Sequence, residues 1–159
     1  MGNFYIADGA AMSSNDDTWT TPLDFFKKLD KEFNFGLDAA AMQSSTLVPS
    51  NWYGPDHEDK SRRDALTRNW KQDSLGKSIW LNPPYGRTLG LWTSKANRES
   101  AGGGETVVLL VPARTDTAWW HDNCIMHEVR FIRGRLKFGG SKNSAPFPSA
   151  LVVMKGSNV

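Results

Sequence analysis

A single cysteine, Cys124, in a chain of 159 residues rules out an internal disulfide and with it the disulfide-stapled secreted domains. No apolar run approaches the roughly 18 residues of a membrane-spanning helix, and the N-terminus carries no signal-peptide pattern, so a soluble, reducing, cytoplasmic setting with no membrane partner is expected. Charge of one sign is missing too. Nineteen Lys and Arg stand against seventeen Asp and Glu, a net +2, so a nucleic-acid surface would have to come from local clustering rather than the overall field. His57, His121 and His127 show no metal-ligand spacing with Cys124, and no metal is expected. The acids and lysine of "GPDHEDK" (54–60) superficially match a metal-dependent nuclease, but they crowd into one polar loop, which argues against that chemistry.

Aromatic surface, by contrast, is plentiful. The seven tryptophans Trp19, Trp52, Trp70, Trp80, Trp92, Trp119 and Trp120 bury too much area to be anything but core for the most part. Trp119 and Trp120 are adjacent on an expected helix, about 100° apart, so at most one of them faces the core squarely. The length suggests one domain. Residues 1–18 lack any sustained period and read as an arm, with the domain proper over 19–159.

"TPLDFFKKLDKEF" carries a helix start signal: Thr21 as N-cap, Pro22 at the first helical position, then Phe26, Leu29 and Phe33 on one face of a helix over 22–33. "FGLDAAA" (35–41) and "SIWL" (78–81) read as short strands, with a loop and a short helix around 60–70 between them. A helix over about 89–101, broken by "GGG", leads to the strand "TVVLLV" (106–111), which ends at Pro112. A short helix over 115–126 capped by Thr115 or Asp116 follows, then "VRFI" (129–132) as a strand, and "RLKF" with "ALVVM" as two strands joined by a Gly, Ser and Pro loop. The alternation predicts an α/β sheet, mainly parallel, with an antiparallel C-terminal hairpin. Ligands of open α/β sheets bind beyond the carboxyl ends of the strands, so Asp38, Asn82 and Pro112 are expected around one cleft.

"WLNPPYG" (80–86) is the most informative stretch. Two prolines fix φ and donate no N–H, which leaves a rigid, extended backbone whose carbonyls have no ladder partner on that side. The amide oxygen of Asn82 with the carbonyl of Pro83 makes a pair of acceptors suited to an –NH2 group, and Tyr85 offers a ring to stack on the planar group bearing it. Acceptors so placed would orient the nitrogen lone pair and relieve the positive charge that develops as nitrogen attacks an electrophile. The bland alternative for Asn82, Pro83, Pro84 and Tyr85 is a stiff turn.

"NPPY" after a short strand resembles the motif of amino-methyltransferases that use S-adenosylmethionine to modify adenine N6, cytosine N4 or glutamine side chains. "WTTPLDFFKKLDKEFNFGLDAAA", "DALTRNW", "WLNPPYG", "LLVPARTDTAWWHD" and "IRGRLKFGGSKNSAPFPSALVV", in that order over roughly 19–154, resemble the phage-encoded DNA N6-adenine methyltransferase (Dam-like) family. The resemblance implies a Rossmann-like methyltransferase fold, S-adenosylmethionine as cofactor, double-stranded DNA as partner and a bacterial host cell as setting. It implies a catalytic role for Asn82, Pro83, Pro84 and Tyr85. It also places Thr21 and Pro22 at the methionine end of the cofactor, counts Trp19 and Thr20 beside them among the cofactor-binding residues, and puts Asp38, with Ala39 and Ala40, at the end of the first cofactor-binding strand. Asp64 and Asp73 compete for the cofactor's adenine amino group: the resemblance favours Asp64, nearness to the strand leading into Asn82 favours Asp73. One departure stands out, since "DAAA" replaces the glycine-rich turn many methyltransferases place after that strand.

Arg114, Arg133, Arg135, Lys137 and Lys142 gather in the C-terminal third and read as phosphate contacts or, more blandly, as a solvated basic face. Site recognition is expected from loops such as 42–60 and 139–149, from the arm, or from a second subunit in a homodimer. Two other readings remain at this stage: a related enzyme acting on RNA adenine, cytosine N4 or protein glutamine, and a non-catalytic nucleic-acid-binding module.

Overall fold

The computed structural model of the chain describes residues 20–139 and 143–157. The arm over 1–18, Trp19 and Lys142 lie outside the described residues.

Five strands form one mixed sheet: β1 (Phe35–Asp38), β2 (Ser78–Leu81), β3 (Val107–Pro112), β4 (Glu128–Phe131) and β5 (Ser149–Met154), in the spatial order β1-β2-β3-β5-β4. β1, β2 and β3 run parallel, and β5 is antiparallel to both β3 and β4. Half of the ladders are therefore parallel, fewer than expected. The C-terminal antiparallel pair also differs from the expected one. "RLKF" is not a strand; β5 pairs with β4, because Leu136, Phe138 and Ala145 turn inward as a folded loop instead, with the Ala145 N–H donating to the Leu136 carbonyl at 2.8 Å. β1, β3 and β5 are buried along their whole length, consistent with their unbroken apolar runs, whereas the edge strand β4 is half exposed.

Helix α1 (Leu23–Phe33) buries Phe26 and Leu29, and Phe26 stacks on Phe35 at 5.3 Å and meets Trp80 edge-on at 5.4 Å. Burial of side chains of this size stabilises the layer by about 2 kcal/mol each. The helix begins one residue later than predicted. Pro22, not Thr21, is the N-cap, and no side chain caps the end, because the Thr21 hydroxyl accepts instead from Asn82. Asn34, in the left-handed conformation at φ 57°, closes the C-terminus.

The single short helix expected near 60–70 is broken into two 3-10 turns, Lys60–Arg62 and Ala65–Thr67, and one α-turn, α2 (Trp70–Asp73). The cause is local: Asp59, Asp64 and Asn69 each accept a backbone N–H from Ser61, Leu66 and Gln72, so a new cap restarts the chain direction every five residues. Helix α3 (Leu89–Ser100) packs on β3 and β5 and against a π-helical turn, Trp120–Cys124, the regular part of the helix expected over 115–126. Trp120 is buried there and Trp119 half-buried, edge-on to it at 5.8 Å.

Candidate active site

β2 delivers the chain into Asn82-Pro83-Pro84-Tyr85 at the carboxyl edge of the sheet, and both polar side chains of the motif are buried, Asn82 to 4 % and Tyr85 to 3 %. The Asn82 amide is held at both ends. Its Nδ2 donates to Thr21 Oγ1 at 3.2 Å, and its Oδ1 accepts from the Tyr85 hydroxyl at 2.9 Å. The same hydroxyl lies 3.2 Å from the Leu110 carbonyl on β3, so its one proton has two acceptors within reach. No hydrogen bond from the described residues reaches the Pro83 carbonyl. The Tyr85 ring, expected to offer a face to a base, is closed in instead: Phe147 meets it edge-on at 5.5 Å, with Phe138 6.2 Å beyond.

Asp38 ends β1 and is 2 % exposed. Its Oδ2 accepts from the Leu47 N–H at 2.9 Å and the Thr46 hydroxyl at 3.3 Å, while Oδ1 is buried without a hydrogen-bond partner among the described residues. Burial pushes this carboxyl up to about 7, against the opposing pull of the Leu47 and Ala40 amides and the Thr46 hydroxyl. Thr20, Thr21, Asp38, Ala40, Trp80 and Asn82 line one cleft, so the segment before α1, the end of β1 and the end of β2 meet as expected. Pro22 follows as the helix cap and Pro112 ends β3 on the same edge, but neither lines this cleft, contrary to expectation.

Where a glycine turn was missing, the backbone is paired. The Ala39 N–H donates to the Trp80 carbonyl at 2.9 Å and the Ala41 N–H to the Tyr53 carbonyl at 2.9 Å, so residues 51–53 run beside the end of β1 as a short added strand. Gly54 then crosses so close to Ala41 that a Cβ would stand 1.8 Å from the Ala41 carbonyl oxygen. Ala39 and Ala40 also line a second cleft, with Tyr53, Pro55, Arg63, Asp64, Ala65 and Trp92, so Ala40 borders both.

Of the two competing acids, only Asp64 borders a cleft next to Ala39 and Ala40; its side chain caps the 65–67 turn through the Leu66 N–H at 3.1 Å. Asp73 is committed elsewhere. It accepts from Arg68 at 2.9 Å, pairs with Arg62 at 3.9 Å and accepts the Tyr53 hydroxyl. Burial would raise its carboxyl, but the Tyr53 and Arg68 hydrogen bonds and the two guanidinium charges hold it below the usual carboxylate range. Arg62 also donates to Asn51 Oδ1 at 2.8 Å, so this hub ties the added strand to the 60–73 segment.

Arg114, Arg133, Arg135 and Lys137 are exposed, and none makes an ion pair among the described residues. Arg62, Arg68, Lys95 and Arg130 do, so the unpaired cations named for DNA contact are those that follow β3 and β4 at the carboxyl edge. A third, open cleft lies in the 42–60 loop, where His57 sits 4.4 Å from the Trp52 ring. Among the described residues no group of three or more His, Cys, Asp or Glu could hold a metal, and no helix is long and apolar enough to cross a membrane.

Sequence reasoning missed the Thr46 and Leu47 clamp on Asp38 and the Phe138 and Phe147 packing behind Tyr85. The first follows an eight-residue excursion with no motif; the second had one signal, the phenylalanine between two prolines in "APFPS".

Comparison with known proteins identifies the family. The family model of DNA N-6-adenine-methyltransferase (Dam) matches residues 9–155. A DNA N-6-adenine-methyltransferase of Haemophilus phage HP1 (strain HP1c1) is 32% identical over 121 residues, 75% of this chain and 62% of the relative. One of Escherichia phage T1 is 30% identical over 105 residues, 65% of this chain and 39% of the relative. The chain is thus aligned to less than two thirds of the length of either relative, and no solved structure matches it. With the family model covering the sheet, both clefts and the Asn82 motif, the chain belongs to the DNA N-6-adenine-methyltransferase (Dam) family.

Proposed function

We propose that the protein transfers a methyl group from S-adenosylmethionine to the N6 amine of an adenine flipped out of duplex DNA, on a Rossmann-like methyltransferase fold. The observation that carries this reading is the Asn82 amide, locked between Thr21 and Tyr85 at a strand end and sharing a cleft with the orphaned oxygen of Asp38.

The residues present fit the cofactor. A buried carboxylate oxygen without a partner suits a cationic amino group, which assigns Asp38, Thr20 and Thr21 to the methionine end. The second cleft, with Asp64 as acceptor and Trp92 and Pro55 as apolar walls, suits the adenine end. The two clefts hold only about 10 and 50 Å³, far below the roughly 300 Å³ at which ligand pockets begin, so both would have to widen to admit the cofactor, and Ala40 borders both. When bound, the cofactor supplies an electrophilic methyl group on a sulfonium.

Asn82 Oδ1 and the Pro83 carbonyl accept the two N6 protons, aim the nitrogen lone pair and stabilise the positive charge that builds on nitrogen. Tyr85 acts through its hydroxyl: it can turn its proton to the Leu110 carbonyl when Asn82 engages substrate, so the phenol is never left unsatisfied. Arg114, Arg133, Arg135 and Lys137 hold the phosphate backbone.

The test is to incubate purified protein with radiolabelled S-adenosylmethionine and unmethylated duplex DNA, digest the DNA, and identify the labelled nucleoside. Label in N6-methyladenine is expected, and Asn82→Ala should lower turnover by about 10²-fold or more while cofactor affinity stays within about twofold. Full activity in that variant would rule out the assigned mechanism.

A further inference from the structure

Among the described aromatic residues only Phe131 is largely exposed, at 71 %, although exposing a phenylalanine gives up the burial that every other ring in the fold exploits. It ends β4, the edge strand. Cross-strand register fixes its level: Phe131 faces Ala150, Ala150 faces Val111, and Leu81 faces Leu109 two residues before Val111. Phe131 is therefore level with Pro83 on the carboxyl edge, three strand spacings or about 14 Å away.

Its neighbours are of one kind. Arg133, Arg135 and Lys137 follow within six residues, exposed and without an ion pair among the described residues, whereas Arg130, just before it, is neutralised by Glu32 and Glu128. An uncharged aromatic face beside unpaired cations, on the edge that carries the reacting motif, matches a nucleic acid, which offers phosphates and flat base surfaces together.

We propose that Phe131 stacks against the base pairs beside the target adenine and compensates the stacking lost when that base is flipped. This rests on the methyltransferase reading above. Removing a base from the stack is unfavourable, and an aromatic side chain that takes up the exposed base surface offsets part of it.

The experiment uses the full chain as wild type, Phe131→Ala and Phe131→Trp. Two duplexes carry the methylation site mapped with wild-type protein: one fully matched, one with an abasic position opposite the target adenine, where flipping is already easy. On the matched duplex Phe131→Ala should lower kcat/KM by about tenfold or more, with Phe131→Trp retaining most activity. On the abasic duplex the Phe131→Ala deficit should shrink to within about threefold. Thermal stability, cofactor affinity and the salt dependence of DNA binding should be unchanged in Phe131→Ala.

Equal rates for wild type and Phe131→Ala on the matched duplex would overturn the proposal. So would a deficit that persists on the abasic duplex, or a wild-type dimer that Phe131→Ala dissociates, since the ring would then serve a second copy along the open β4 edge. If wild type methylates no duplex DNA, so that no site can be mapped, the methyltransferase reading fails and this inference falls with it.

Discussion

Replacing Asp38 by Asn separates the price of its burial from the use of its charge. The carboxyl ionises near 3.8 when exposed and is pushed up to about 7 in the fold, chiefly by burial. Below pH about 3 it is protonated in both folded and unfolded chains and has no effect on pH dependence. As pH rises, the unfolded chain ionises first, and the folded protein loses stability progressively until about pH 7, approaching a cost of about 4 kcal/mol. Asp38→Asn keeps an acceptor for Leu47 and Thr46 but cannot ionise, so the stability of variant minus wild type should increase by about 4 kcal/mol between pH 4 and pH 8. Denaturant melts across that range measure it. Cofactor binding should run the other way. If the cationic end of S-adenosylmethionine requires ionised Asp38, the wild-type Kd should be about tenfold weaker at pH 6 than at pH 8, flatten above pH about 7.5, and be accompanied by proton release. Calorimetry in two buffers of different ionisation enthalpy reads both quantities. Asp38→Asn should bind more weakly at pH 8 and with no such slope. A wild-type Kd that does not change between pH 5.5 and 8 would refute the pairing of Asp38 with a cation.

Tyr85→Phe removes the hydroxyl shared by Asn82 and Leu110 but keeps the ring, and should lower kcat by about 5- to 10-fold with cofactor Kd unchanged; a loss confined to DNA affinity would contradict the positioning role. Asp73→Asn leaves Arg68 and Arg62 without their partner, and because both guanidinium groups are partly solvated the cost should be about 2 kcal/mol, a Tm drop of about 4–8 °C; a weakened cofactor Kd at unchanged Tm would instead make Asp73 a ligand. Arg133→Ala and Arg135→Ala should each reduce the slope of log affinity against log salt by about 1, measured by fluorescence anisotropy with duplex DNA; an unchanged slope in both would remove them from the phosphate contacts.

Local signals were enough to locate most elements. The apolar spacing of Phe26, Leu29 and Phe33 marked α1, and the prolines after Leu81 and Val111 marked the ends of β2 and β3. What failed was whatever depended on distant partners. β5 pairs with a strand that ends 18 residues before it begins, and nothing near "ALVVM" encodes that choice over the closer "RLKF". Thr21 has an N-cap's chemistry, but its hydroxyl is claimed by Asn82, 61 residues away. Asp64 and Asp73 look alike in sequence and separate only when Tyr53, Arg62 and Arg68 converge on one of them. The Asn82 motif was legible because prolines impose their conformation without help; the closed-in state of the Tyr85 ring was not, since it depends on Phe147.

The loop after Lys137 is fastened at three points: Phe138 packs on Phe147, which meets Tyr85 edge-on, the Ala145 N–H bonds to the Leu136 carbonyl, and the Gly139 N–H donates to the Thr20 carbonyl at 2.9 Å. Its root is thus tied to the segment that precedes α1 and to the Asn82 motif. Residues between these fasteners can diverge freely while the pocket keeps its shape, whereas a change at Phe138 or Phe147 is felt at Tyr85. A designer exchanging the span inside the fasteners should therefore leave the two phenylalanines in place.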